Sequence, residues 1–241
     1  MTELASNNSL LQRLQQLAPE LLPACERVPL KVGPWPAQSA AGDGCMYFPD
    51  DSLLGLSASS GAQQGVRLAL LGCHNMWSPQ LALSTGLQAE VLVPGHALRL
   101  SEARVRAVGP PLAYWWLQEA ASAQQLMAQM AHMVFCAKHH SAVQNLASWL
   151  WLAQHHSPHS PLHIPLQPWR AWLAWTPEVW KSAWDTLESQ QAVALVQPRP
   201  SRSGQTPPKP IGLDEWGEIQ VQALASLSAW ACPCHQPPPC Y

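Results

Sequence analysis

The chain has 241 residues with 47% hydrophobic content, enough for a sizeable core and, at about 100 to 150 residues per domain, for two domains. Only 12% of residues are charged and the formal net charge is -2, so the chain as a whole does not attract nucleic acid and any such contact must be local. Apolar runs are broken by Gln, Pro, Gly or Ser well short of the roughly 18 residues of a membrane span, and Met1 to Leu10 has no basic stretch before an apolar core. A soluble cytoplasmic protein with no membrane partner is expected. Seven cysteines, odd in number and scattered, fit thiols in a reducing compartment better than a disulfide framework.

Ser6 to Leu22 sets Leu10, Leu11, Leu14, Leu17, Leu21 and Leu22 at helical spacing, with Asn7, Asn8 or Ser9 as N-cap, and predicts a leading helix. From Arg27 to Val108 the texture changes to short apolar runs: Val28 to Val32, Cys45 to Phe48, Leu53 to Ser57, Val66 to Leu71, Leu81 to Leu83, Ala89 to Val93 and His96 to Leu100. Turn residues such as Gly33-Pro34, Gly42-Asp43-Gly44 and Pro94-Gly95 separate them, as in an antiparallel barrel or roll. Pro111 to His139 then places Leu112, Trp116, Ala120, Ala123, Met127, Met130, Val134 and Ala137 at alternating steps of four and three, a stripe on one face of a long helix. Small Ala and adaptable Met suit a seam between two copies of this helix, formed by Trp116, Ala120, Ala123, Met127, Met130 and Val134. A long helix lying on its own β domain is the plainer alternative.

Ser141 to Gln154 continues as a second helix, and His155 to Pro165 reads as a loop. Leu166 to Ala174, a bend at Trp175-Thr176-Pro177 and Glu178 to Gln190 make a helix-turn-helix candidate, with Thr176 as N-cap and Pro177 at the first helical position. Ala192 to Gln197 and Ile211 to Leu213 are expected to pair as a wing across a loop holding Arg199, Arg202 and Lys209. The helical spacing of Trp169, Trp172, Trp180 and Trp184 favours a packed core over a platform for single strands, with Trp175 at the turn.

In this order the parts resemble the Crp/Fnr family of bacterial transcription regulators over nearly the whole chain. Tyr47-Phe48-Pro49 followed by Ser52-Leu53 is similar to the family's aromatic-Phe-Pro strand and turn, and Gly95-His96-Ala97-Leu98-Arg99-Leu100 to its last roll strand. His140 through Leu152 looks like the segment leading into the DNA-binding domain. The resemblance implies an α+β chain: a cyclic-nucleotide-binding-like β-roll or jelly roll over residues 1–110, a dimerisation helix over 111–139, a winged helix-turn-helix over 140–215 and a tail over 216–241. It implies a homodimeric regulator that is not an enzyme, with double-stranded DNA as partner and RNA polymerase as a further one. Thr176, Glu178, Lys181 and Ser182 would meet bases and phosphates, and Arg199 and Arg202 the backbone. A degenerate member that has lost DNA binding, serving as a sensor or interaction dimer, is the alternative.

The chain also departs from the family. Ser78-Pro79-Gln80 and Leu87-Gln88-Ala89 stand near the positions of its ribose-binding Gly-Glu and phosphate-binding Arg-Ser or Arg-Thr pairs, so cyclic AMP is not an expected ligand. Cys25, Cys45 and Cys73 are isolated, unlike the cysteines of its iron-sulfur members. Glu178 matches a glutamate that many members aim at a cytosine amino group, but Lys181 is the only cation of its helix. No cofactor is expected. The tail Cys232-Pro233-Cys234-His235 with Cys240 offers zinc-type ligands, yet its spacing is not the usual Cys-x-x-Cys knuckle, and no metal site is assigned. A cupin-like enzyme would need a metal set in the roll, where His74 and His96 are the only histidines.

Overall fold

The computed structural model describes residues 6–35, 44–59, 65–78, 86–108, 112–196 and 217–232. It divides into two compact units, Met1–Phe135 with His155–Pro158, and Cys136–Gln154 with His159–Tyr241.

The first unit opens with α1 (Ser9–Leu17) and a short 3-10 helix (Pro19–Ala24). Strands follow: β1 (Glu26–Leu30), β2 (Gly33–Trp35), β3 (Cys45–Pro49), β4 (Leu53–Ala58), β5 (Val66–Leu71), β6 (Leu87–Val93) and β7 (Gly95–Ser101). Among the described residues they form a sheet of order β1-β7-β3 and another of order β2-β6-β4-β5. All pairings are antiparallel; β7 runs from Gly95↔Leu30 to Arg99↔Glu26 on one side and from Ala97↔Pro49 to Ser101↔Cys45 on the other.

Alternation along β7 divides the core. Ala97 packs with Leu30, Leu54, Leu56, Ala69, Leu71 and Val91 between the sheets. Leu98 and Leu100 point the opposite way, into a cluster with Leu10, Leu11 and Leu14 of α1 and with Trp115. The expected roll is present, with two differences. Gly33-Pro34 is part of β2 rather than a separator; β2 is an edge strand, where proline sacrifices no ladder bond. The chain from Glu102 to Val108 is a helix, α2, not strand; it is built from good helix formers with Glu102 and Arg106 paired at i,i+4, 3.4 Å apart. The expected strand Leu81 to Leu83 lies outside the described residues.

The long helix is α3 (Ala113–His139), 27 residues in one run. Within the first unit Trp115 is fully buried and donates its Nε1–H to the Leu10 carbonyl at 3.3 Å. Further along, Leu126 and Met130 pack against the inter-sheet core. The helix therefore covers its own roll with one side while keeping another side exposed.

The second unit contains α4 (Ala142–His155), β8 (His163–Pro165), α5 (Leu166–Leu173), α6 (Pro177–Ser189), β9 (Val193–Val196), β10 (Glu218–Val221) and α7 (Leu224–Trp230). Its sheet has the order β8-β10-β9. The strand pairing with β9 is Glu218–Val221; the expected partner, Ile211 to Leu213, lies outside the described residues. β8, expected as loop, pairs with β10 and buries Ile164 opposite Ile219. Pro165 ends it, so the strand is too short for alternation to reveal.

Two polar features fix the first unit. Asn8 is fully buried; its Oδ1 accepts from the backbone N–H of Leu10 and Leu11, and its Nδ2 donates to the carbonyls of Pro49 and Asn75. Replacing it with Ala removes the cap of α1 and orphans two buried carbonyls. Asn8→Ala should cost about 2 to 4 kcal/mol in chemical denaturation, whereas Gln16→Ala on the exposed side should stay within about 0.5.

His156 is the second feature. Its carbonyl accepts from the Cys73 N–H at 2.9 Å, its ring meets that of His74, and its Nδ1 is shielded without a hydrogen-bond partner. Burial, reinforced by His74 and His155, pushes the imidazole down to about 3. Folding thus holds His156 neutral while the unfolded chain takes a proton near pH 6.5, so stability is complete above that pH and declines as pH falls toward 3. Unfolding free energy should drop by about 1 kcal/mol per pH unit between pH 6 and 4 from this group. His156→Phe should flatten that slope; an unchanged slope would mean that other groups produce it.

Candidate nucleic-acid interface

α5 ends at Ala174 in the left-handed region, φ 56°, which turns the chain sharply before the next helix. Thr176 then caps α6: its Oγ1 accepts from the Val179 N–H at 3.4 Å, and Pro177 occupies the first helical position. The sequence predicts both roles. Inward from this start, Trp180, Ala183, Trp184 and Leu187 are buried. Trp180 and Trp184 stack at 6.2 Å with an interplanar angle of 16°, and Trp149 meets Trp172 edge-on at 4.9 Å. Trp169, Trp172, Trp180 and Trp184 are thus core, and a platform of these four for single-stranded bases is ruled out.

The outward side of the same helix carries four of the residues singled out by sequence. Thr176, Glu178, Lys181 and Ser182 are all exposed along the first half of α6. The carboxyl of Glu178 is held below its usual range by hydrogen bonds to the backbone N–H at the helix start and to the Thr176 side chain, so it is an ionised acceptor at neutral pH. Lys181 reaches back to Asp185, Nζ to Oδ2 at 2.6 Å. Such an exposed i,i+4 pair adds little stability but masks the cation. Asp185 counts against the local cations already in the sequence, and folding pairs it directly with Lys181, the only cation of this helix. Arg170, one helix earlier, lies 5.7 Å over the Trp180 ring. Arg199 and Arg202 lie outside the described residues.

The seam residues on α3 separate into two groups. Trp116 is half-buried beside the α1 cluster, with the Arg106 guanidinium 5.8 Å from its ring, and Met130 is turned toward the roll core. Ala120, Ala123, Met127 and Val134 face outward, Met127 at 61% and Val134 at 45% exposure. Leu117, 67% exposed, was missed by a heptad count that followed the Trp116 face. Among the described residues no helix is long and apolar enough to cross a membrane.

No family model matches the sequence and no curated protein does, but solved structures do. FixK2 from Bradyrhizobium japonicum superposes with a TM-score of 0.58 at 10% identity, covering 86% of this chain and 98% of that one. A CooA double mutant from Carboxydothermus hydrogenoformans gives 0.52 at 10% identity over 88% and 89%. A transcriptional regulator of the Crp/Fnr family from Thermus thermophilus gives 0.50 at 16% identity over 85% and 97%. At these identities the likeness concerns the fold, and in every case it extends over most of both chains. A roll, a long helix and a helix-turn-helix with its sheet, in that order, have the fold of the Crp/Fnr regulators.

Proposed function

We propose that this chain is a divergent Crp/Fnr regulator that binds double-stranded DNA as a homodimer, setting α6 of each protomer into successive major grooves. The observation that carries the reading is the start of α6. A capped helix N-terminus with Thr176, Glu178, Lys181 and Ser182 outward is fixed from behind by buried Trp180 and Trp184. Backbone N–H groups at such a terminus favour phosphate, and an ionised Glu178 can accept from a cytosine amino group. Arg199 and Arg202, in the chain between β9 and β10, would grip the backbone. The outward Ala120, Ala123, Met127 and Val134 of α3 support a second copy as their cover.

The dimer is tested by sedimentation. The native protein should form a dimer at micromolar concentration, and Met127→Glu combined with Val134→Glu should give folded monomers, because like charges would be buried across the seam. Met130 is left intact since it packs on its own roll. A native protein that sediments as a monomer removes the dimer from the proposal.

DNA binding is tested by fluorescence anisotropy against promoter fragments from the gene's own neighbourhood. Binding should weaken by no more than about 10³-fold from ~50 to 200 mM salt, as few phosphates are neutralised. Asp185→Asn releases Lys181 and should tighten binding to all sequences, whereas Glu178→Ala should relax discrimination at one base pair per half-site by about 1 to 3 kcal/mol. The masking of Lys181 by Asp185 also favours a second reading, a dimer that has lost DNA binding. That reading takes over if neither the native chain nor Asp185→Asn shifts any fragment at low salt.

A further inference from the structure

The second unit gathers three metal-ligating side chains that lie far apart in the sequence. The ligand atoms of Cys136, His140 and Cys232 all fall within 4.8 Å of one another. Cys136 and Cys232 are buried and His140 is half-buried. Cys136 and His140 are four residues apart where α3 ends; the His140 N–H donates to the Cys136 carbonyl at 3.0 Å, so the helical register carries both side chains on one face. That spacing chelates.

The surroundings hold the three in place. The buried Asn145 carboxamide donates to the carbonyls of Cys136, His140 and Ser141 at 3.2, 3.1 and 3.0 Å, fixing the turn between α3 and α4. Cys232 comes from the opposite end of the unit, after α7, and its backbone N–H is anchored on Ser148 Oγ of α4 at 3.1 Å. That hydroxyl donates in turn to the Gln144 carbonyl at 2.8 Å. The backbone at each ligand is thus held by a buried polar side chain on α4.

We propose that Cys136, His140 and Cys232 bind a thiophilic metal ion of the zinc class. Two thiols and an imidazole suit zinc, with sulfur at about 2.3 Å and nitrogen at about 2.0 Å, which makes the tetrahedral edges about 3.6 to 3.8 Å. The observed separations reach that with a contraction of about 1 Å, within the range of side-chain rotation. Each thiol loses its proton on binding, so uptake of the ion releases protons. Two residues past Cys232 the sequence supplies Cys234 and His235, which lie outside the described residues; the three-ligand core does not depend on them. Nor does the site depend on DNA binding, because its residues belong to neither the exposed side of α6 nor the outward side of α3. Two buried thiols alone would be ordinary packing; the imidazole converging on both is what distinguishes a site.

The test uses the full chain, reduced and stripped with a chelator, titrated with cobalt(II) and then zinc(II). Cobalt should bind one per chain with proton release, a thiolate-to-metal charge-transfer band and the visible absorption of tetrahedral coordination, and zinc should displace it without further proton release. Cys136→Ser, His140→Gln and Cys232→Ser should each weaken cobalt affinity by about 100-fold or more, and Asn145→Ala by about 10- to 100-fold. Circular dichroism checks that each variant is folded. Where one is not, the native protein decides: zinc should slow alkylation of Cys136 and Cys232 about tenfold or more, as a metal-bound thiolate is withdrawn from reaction. Absence of the charge-transfer band in the folded native chain overturns the proposal. So does a band that survives both cysteine substitutions and disappears with Cys234→Ser and Cys240→Ser, or alkylation of Cys136 and Cys232 at rates that zinc leaves unchanged.

Discussion

The first unit depends on one carboxamide with all its hydrogen-bonding capacity used in two directions. Asn8 accepts from the first turn of α1 and donates to carbonyls at the ends of two separate roll segments, Pro49 and Asn75. Neighbouring Asp50 repeats the theme: buried, it accepts from Ser6 Oγ and the Asn7 N–H and faces the Arg27 guanidinium at 3.2 Å. These bonds seat α1 over Leu98 and Leu100. Once α1 is seated, its Leu10 carbonyl receives the Trp115 indole and so sets where α3 begins. A buried polar group with every bond made specifies geometry in a way that apolar contact cannot, since apolar contact is non-directional. The position of the long helix is inherited, through Trp115, from a cap residue about a hundred positions earlier in the chain.

Much of this was legible in the sequence because the signals were local. Thr176-Pro177 announced a helix start, the Val66 to Leu71 run announced a strand, and steps of three and four announced α3. What escaped depended on partners distant in the chain. β8 has three residues and acquires its strand character from β10, for which no periodicity prepares the reader. Glu102 to Val108 was absorbed into strand texture although its Glu, Ala and Arg are good helix formers, because seven residues directly after a strand are too few for the helical period to stand out. The cluster of Cys136, His140 and Cys232 was invisible for the same reason. Sequence spacing groups Cys232 with Cys234 and His235, and only folding brings it to the end of α3.

The electrostatics of α6 illustrate how a single neighbour alters a functional reading. By composition the helix has one cation, and by geometry that cation already has a carboxylate at hydrogen-bonding distance. Its N-terminus, by contrast, combines the partial positive charge of the helix with an ionised Glu178 held by its own backbone N–H and by the Thr176 side chain. Any base that uses Glu178 as acceptor must compete with these two donors for one carboxylate. Specificity drawn from such a site is bounded by the small net value of the exchanged hydrogen bonds.

The indole packing of the second unit has a spectroscopic consequence. Trp180 and Trp184 lie nearly parallel at 6.2 Å, and Trp149, Trp169 and Trp172 adjoin at 4.9 and 5.8 Å. Strongly absorbing chromophores this close share their excitations, and the coupled transitions rotate polarised light in the region where peptide groups do. The far-ultraviolet dichroism of this protein is therefore a superposition of backbone and aromatic signals. A helix fraction taken from it without subtracting the indole couplet would misstate the backbone, while the couplet itself records whether the tryptophan core of the second unit is intact.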